Sequence, residues 1–358
     1  MLKLEKRQYD SRRMALLSPL IAILLTLITG ALLFSLLGHD PFNALYTFFL
    51  APLSDLYGWT ELGVKVTPLL LCATGLNMCY QAKIWNIGAE GQFIIGALAG
   101  GWVGLSFPDV ETYWMLALVL VFGVLGGMLW AGLAAWLRTH FNANEILTTI
   151  MLNYIALYTL LYAVHGPLKD PAGYNFPESA QFGQYITLPP LIGDYRMNIS
   201  VLFALLALVI CWTLLSRTLL GFQIKVLGED RAATAFAGFS EKRITWWVML
   251  ISGGLAGLAG ISEVAGPIGQ LVPQISPGYG YTAIIVVFLG RMSPIGILFA
   301  SILLGMTYMG GEMIQMDLNL PKSITGLFQG MLLFFLLASD FLISYRIIPA
   351  NKLSWART

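Results

Sequence analysis

The sequence predicts an all-α polytopic membrane protein of about ten transmembrane helices (eight to ten), arranged as an inverted repeat with both termini in the cytoplasm. Three observations predict it. Hydrophobic residues make up 57% of the 358 and charged residues only 11%, with a mean hydropathy of +0.75. A soluble domain carries about 25% charged residues, so this chain could not cover a water-facing surface. Apolar runs long enough for a bilayer core of about 30 Å recur along the chain. The Lys and Arg residues gather in alternate gaps between those runs. Disorder is excluded by the apolar content. A net charge of +1 gives no basic field for nucleic acid.

The elements follow in order. Residues 1–13 carry Lys3, Lys6, Arg7, Arg12 and Arg13 and are expected as a cytoplasmic segment. The run from Met14 to Leu37 exceeds a signal-peptide core and lacks an Ala-x-Ala-like end, so it predicts an uncleaved first helix. Asp40 to Trp59 is aromatic-rich and is expected at the outer interface, where rings settle; a surface for an external partner is the sharper alternative. Further spans are expected at 61–79, 92–107, 113–137, 146–164, 199–216, 244–262, 281–290, 295–311 and 324–345. One helix over 281–311 would send the C-terminus outside. A break at Gly290-Arg291-Met292-Ser293-Pro294 returns it, because the residue before proline avoids the α region. The proline-rich stretch 165–198 reads as a long external loop and 217–243 as a charged internal loop. One membrane domain then covers 14–345, followed by a cytoplasmic tail at 346–358. Sixteen Lys/Arg fall inside: five before the first span, Lys83, Arg138, five in 217–243, Arg291 and three in the tail. Only Lys169, Arg196 and Lys322 fall outside, and Lys65 lies within the second span.

Spans two to five begin by running inward and spans seven to ten by running outward. Two blocks of opposite polarity are a transporter arrangement, and paired Gly/Pro interruptions mark its solute path. The first interruption is QAKIWNIGAEGQ (81–92) and the second EVAGPIGQLVPQISPGYG (263–280). Small residues spaced by four (Gly96, Gly100, Gly104; Gly123, Gly127; Gly253, Gly257) predict close helix packing within the chain.

Polar side chains at membrane depth are costly and mark functional candidates. Asn86, Glu90 and Gln92 could line a polar cavity, or could cap a broken helix. Glu145, Thr149 and Asn153 are spaced by four and give the fifth span one polar stripe, which must face protein or water. Asn153 and Tyr154 could touch a solute there; interhelical hydrogen bonding is the other use. Lys65, Glu263 and Gln270 are weaker candidates. Cys72, Cys79 and Cys211 read as inert small hydrophobes, and His39, His140 and His165 match no metal-ligand spacing. No catalytic residue and no metal site is expected. The chain has no Gly-x-x-x-x-Gly-Lys-Ser/Thr, so it does not hydrolyse nucleotide through that loop.

The internal loop contains Gly228-Glu229-Asp230 followed by Arg231-Ala232-Ala233-Thr234-Ala235-Phe236-Ala237-Gly238. Asp230 can cap a short alanine-rich helix that Gly238 ends. It suits a knob inserted into a soluble partner, or a plain surface helix. This loop, with NIGAEGQ (86–92), NEILTTIMLNYIALY (144–158), GPLKDP (166–171) and GYGYTAIIVVFLGRMSPIG (278–296), resembles the membrane permeases of ABC importers. The branch is the one shared by branched-chain amino acid, ribose-type sugar and nucleoside systems, closest to the nucleoside/simple-sugar subgroup, over about residues 60–340. Phe239 and Val287-Phe288 depart from its usual residues.

The resemblance implies a permease subunit, not an enzyme, in a prokaryotic cytoplasmic (inner) membrane. It implies a cytoplasmic ATP-binding subunit that carries the ATP and Mg, with no cofactor in this chain. It also implies a second permease subunit of different sequence, an extracytoplasmic solute-binding protein and a surrounding of membrane lipid. Gly228, Glu229, Asp230, Arg231, Ala232, Ala233 and Gly238 would couple to the ATPase. For a nucleoside, Asn86, Glu90 and Asn153 could meet the ribose, and Trp85, Phe93 or Tyr154 the base. A sugar or branched-chain amino acid permease, or a secondary transporter or channel acting alone, are the rival readings.

Overall fold

Every apolar run expected to cross the membrane is a helix in the computed structural model, which describes residues 2–7, 12–107 and 110–349. Parts of the expected N-terminal segment (1 and 8–11) and most of the tail (350–358) lie outside the described residues. The elements are β1 (Leu2–Lys6), α1 (Arg12–Leu36), α2 (Pro41–Phe49), α3 (Leu56–Gln81), α4 (Ala89–Ser106), α5 (Trp114–Phe141), α6 (Glu145–His165), α7 (Ser200–Arg217), α8 (Leu219–Glu229), α9 (Arg231–Phe236), α10 (Glu241–Glu263), α11 (Tyr279–Leu289), α12 (Pro294–Asp317), α13 (Ile324–Ser344) and β2 (Tyr345–Pro349). Eight of these helices are long and apolar enough to cross a membrane. Two expected spans fall short for different reasons. α4 opens with Glu90 and Gln92. α11 has 11 residues, a rise of about 16 Å, or roughly half a bilayer core. The break after α11 lies where the sequence placed it. Arg291 and Met292 take left-handed φ values of 55° and 54°, and the Ser293 hydroxyl accepts the Gly296 N–H at 3.1 Å to start α12.

The chain divides into two compact units. The first holds the residues up to Ser54 and those from Met306 onward. In it α1 packs along α13, and Phe34, Ala44, Phe48, Ile314, Ile324 and Phe328 form a buried cluster. The aromatic segment after the first span contributes α2 to that cluster. Asp40 caps it, accepting from Phe42 N–H and Asn43 N–H, with Pro41 at the first helical position. β1 and β2 pair antiparallel, from Leu2 opposite Pro349 to Lys6 opposite Tyr345. Both ends of the helical chain are thus on one side, as an even number of crossings requires.

The second unit, Asp55–Gly305, is built on three helices in backbone contact. A Cβ on Gly96 would lie 2.3 Å from Gly257 Cα, and one on Gly127 2.1 Å from the Gly253 carbonyl. The spaced glycines therefore let α4, α5 and α10 approach within the chain. The loop contacts of this unit gather at two ends. At one end, the loop 165–198 runs beside the second interruption: Phe182 N–H donates to Gly269 O at 2.8 Å and Leu188 N–H to Ala265 O at 2.8 Å. Arg196 of the same loop pairs with Glu61 near the start of α3 at 3.1 Å. These ends were all expected outside. At the other end Gln81 donates to the Met292 carbonyl, and Arg138, Glu145, Arg231 and Glu241 meet. Those were all expected inside.

Candidate translocation site

The two interruptions meet. α4 and α11 begin against each other, so that a Cβ on Gly280 would sit 2.3 Å from Glu90 N. Gly280 N–H donates to Glu90 Oε2 at 2.7 Å. Ser276 Oγ accepts Gly278 N–H and Tyr279 N–H, each at 3.0 Å. A carboxylate and a hydroxyl therefore satisfy the free N–H groups of the α11 start, where the helix dipole favours negative charge.

The polar stripe of α6 holds the first interruption. Thr149 Oγ1 accepts Ile87 N–H at 3.2 Å. Asn153 accepts Gly91 N–H at 2.9 Å and donates to Ile87 O at 2.9 Å and to the Tyr281 hydroxyl at 3.1 Å. Within the loop, Asn86 and Gln92 exchange amide hydrogen bonds of 3.2 and 3.1 Å, and Asn86 also donates to Ser252 Oγ. Irregular backbone survives at membrane depth only when its groups are satisfied in this way.

Beside this frame lies a cavity of about 540 Å³, lined among others by Glu90, Asn153, Tyr154, Gln274, Ser276 and Tyr281. Its size suits a small organic solute. The structure brings three of the nine expected pathway residues to it: Glu90, Asn153 and Tyr154. It places the other six elsewhere. Asn86, Gln92 and Thr149 are buried in the loop frame. Phe93 is fully buried, its ring 6.1 Å from that of Tyr279. Trp85 packs on Tyr80 and Phe288. Glu145 sits at the start of α6, 2.6 Å from Arg138. Of the weaker candidates, Gln270 donates to Glu178 in loop 165–198 at 2.7 Å, and Glu263 ends α10 next to a small void shared with Asn198 and Ser200.

The end where α5, α6, α9 and α10 meet carries the second feature. A cavity of about 590 Å³ is lined by Arg138, Glu145, Arg231, Glu241 and neighbours. Glu241 lies 3.5 Å from Arg138 and 3.7 Å from Arg231, so charges chain from the α6 start to α9. α9 is the expected short helix: Asp230 Oδ1 accepts Ala232 N–H at 2.8 Å, and Gly238 follows it with φ +75°. Gly228 packs α8 on the end of α3, where a Cβ would be 1.9 Å from Gln81 O. Arg231, Ala232 and Ala233 are exposed, and Phe236 is 96% exposed.

The family model for the branched-chain amino acid transport system permease component matches residues 58–337. The chain belongs to that permease family. A glucose ABC transporter permease protein, TsgB13 of Haloferax volcanii, is 33% identical over 97% of this permease and 93% of its own length. The guanosine ABC transporter permease protein NupP of Bacillus subtilis is 31% identical over 90% and 93%. The nucleoside ABC transporter permease protein NupB of Lactococcus lactis is 30% identical over 96% of each. The permease is thus an ABC transporter subunit of the nucleoside and sugar group.

Sequence reasoning missed Tyr281, Ser276 and Gln274 in the permease's cavity. The signal was there in part. All three lie in or just after the second interruption, which the topology pairs with the first. Weighing its polar residues equally with those of 86–92 would have found them.

Proposed function

We propose that this permease forms half of the pathway by which an ATP-driven importer takes up a nucleoside. The observation that carries it is the cavity where the two interruptions meet. Tyr154 and Tyr281 offer aromatic faces for a base, and Asn153, Gln274 and Ser276 offer the amide and hydroxyl groups that a ribose or base edge needs. The guanosine and nucleoside relatives support the same class. A hexose is the second reading, favoured by the glucose relative.

The cytoplasmic ATPase that would bind and hydrolyse ATP seats on α9, whose bare Phe236 and alanines form a small apolar knob ringed by Arg231 and Glu229. Closure of the ATPase then moves α9. The Arg231–Glu241–Arg138–Glu145 chain passes that motion to α6, which carries Asn153 and Tyr154. A second, different permease and an extracytoplasmic binding protein complete the importer in a prokaryotic inner membrane.

The test is uptake in cells expressing the permease with its neighbouring genes. Labelled guanosine should accumulate in an ATP-dependent way and resist competition by excess glucose. Phe236→Asp should abolish uptake and release the ATPase on purification. Uptake that unlabelled glucose blocks and nucleosides do not would replace the substrate. Transport by the permease alone, indifferent to Phe236→Asp, would remove the coupling.

A further inference from the structure

One exposed face of α6 carries a column of tyrosines. Tyr154, Tyr158 and Tyr162 recur every four residues, are 54%, 66% and 73% exposed, and stand one above another. Thr159 is exposed on the adjoining side of the helix. By contrast, α1 exposes the aliphatic run Leu20, Leu24, Ile28 and Leu32, and α7 exposes Leu202, Leu206 and Val209. Those faces suit hydrocarbon. Three phenols do not, because tyrosine favours the narrow membrane–water boundary where its ring is dry and its hydroxyl wet. Eight residues of helix rise about 12 Å, and Tyr154 lies near the middle of a 21-residue span. The stack therefore reaches from mid-helix to the outer end and is no boundary belt. None of the three hydroxyls has a hydrogen-bond partner among the described residues, and an unpaired hydroxyl against lipid is costly.

We propose that the Tyr154–Tyr158–Tyr162 face is the wall of a wet solute lane. It runs from the cavity, which Tyr154 already lines, to the end of α6 where loop 165–198 begins. The inference rests on the importer reading above and adds Tyr158 and Tyr162 as specificity residues. Their ring faces can stack on a planar base at successive steps, and their hydroxyls stay hydrated or bond to the solute.

The assembled transporter in intact cells tests this with single cysteines and a membrane-impermeant methanethiosulfonate reagent. Cys72, Cys79 and Cys211 are buried, so the unmutated background is low. Tyr158→Cys and Tyr162→Cys should react at least about tenfold faster than Leu206→Cys on α7, because the reactive thiolate forms only in contact with water. Saturating guanosine should slow both. Thr159→Cys keeps all three tyrosines and should show the same fast labelling if a tyrosine variant fails to assemble. Rates equal to that of Leu206→Cys, in a transporter that still imports, overturn the lane and leave the importer standing. Fast labelling that guanosine does not slow upholds the wet lane and counts against the nucleoside.

Discussion

Asn153→Ala tests the frame at its centre. The side chain makes three hydrogen bonds: from Gly91 N–H, to Ile87 O and to the Tyr281 hydroxyl. A neutral buried hydrogen bond contributes about 1 kcal/mol net, and interhelical bonds in membrane proteins average about 0.6 kcal/mol. Losing three then costs about 2–3 kcal/mol, with the upper end favoured because Gly91 N–H is left unpaired inside the protein. Tyr281→Phe removes one of the three and should cost about 0.6–1 kcal/mol on the same scale. The double variant should cost less than the sum, since both changes delete one shared bond. The assay is SDS-titrated unfolding of the purified permease in mixed micelles. Uptake by Asn153→Ala should fall as well, because the α4 start carries Glu90. An Asn153→Ala protein no less stable than Tyr281→Phe would refute the reasoning: the 85–92 loop would then hold its shape without α6.

Two further predictions follow from close contacts. Arg138→Ala strips the partner from Glu145 and loosens Glu241; it should destabilise by about 2 kcal/mol, typical of a bond to a charged group. Arg138→Lys should recover only part of this, since a point charge cannot serve two carboxylates as a guanidinium fork does, and equal stability of all three proteins counts against the network. Gly280→Ala places a methyl 2.3 Å from Glu90 N and 2.6 Å from its Cα. Backbone must move, at about 1–3 kcal/mol for an overpacked core, so the yield of monodisperse permease should drop sharply; wild-type yield would show that the two helix starts are not in contact.

Most of the fold could be read from the sequence because long apolar runs have one way to satisfy their backbone in lipid. Its details depended on local chemistry. α3 starts at Leu56 rather than near 61 because Asp55 accepts Gly58 N–H at 2.8 Å, a cap visible in the sequence but outside the apolar run. Aromatic content alone places 40–59 at the interface, whereas Asp40-Pro41 is a helix-start pair that marks α2. The site was harder. Glu90, Asn153 and Tyr154 stood out as polar groups in apolar helices. Polarity alone could not tell them from Asn86 and Gln92, which satisfy each other across a loop. Glu145 shares the stripe spacing with Thr149 and Asn153, yet Arg138, on the preceding helix, draws it into an ion pair at the start of α6. A pairing across a turn is invisible to a helical period.

The polar groups near the interruptions divide by what their hydrogen-bonding capacity is used for. Asn86, Gln92 and Thr149 spend it on backbone or on each other. A solute could bond to them only by displacing a bond that holds α4 in place. The hydroxyls of Tyr154, Tyr158 and Tyr162 have capacity to spare. A path that must pass its cargo and keep its shape needs groups of the second kind mounted on groups of the first, because a contact with the frame would have to break a bond that holds it. On this logic α6 serves both ends of the problem. Its buried side fixes the broken helices, and its tyrosine side meets the solute.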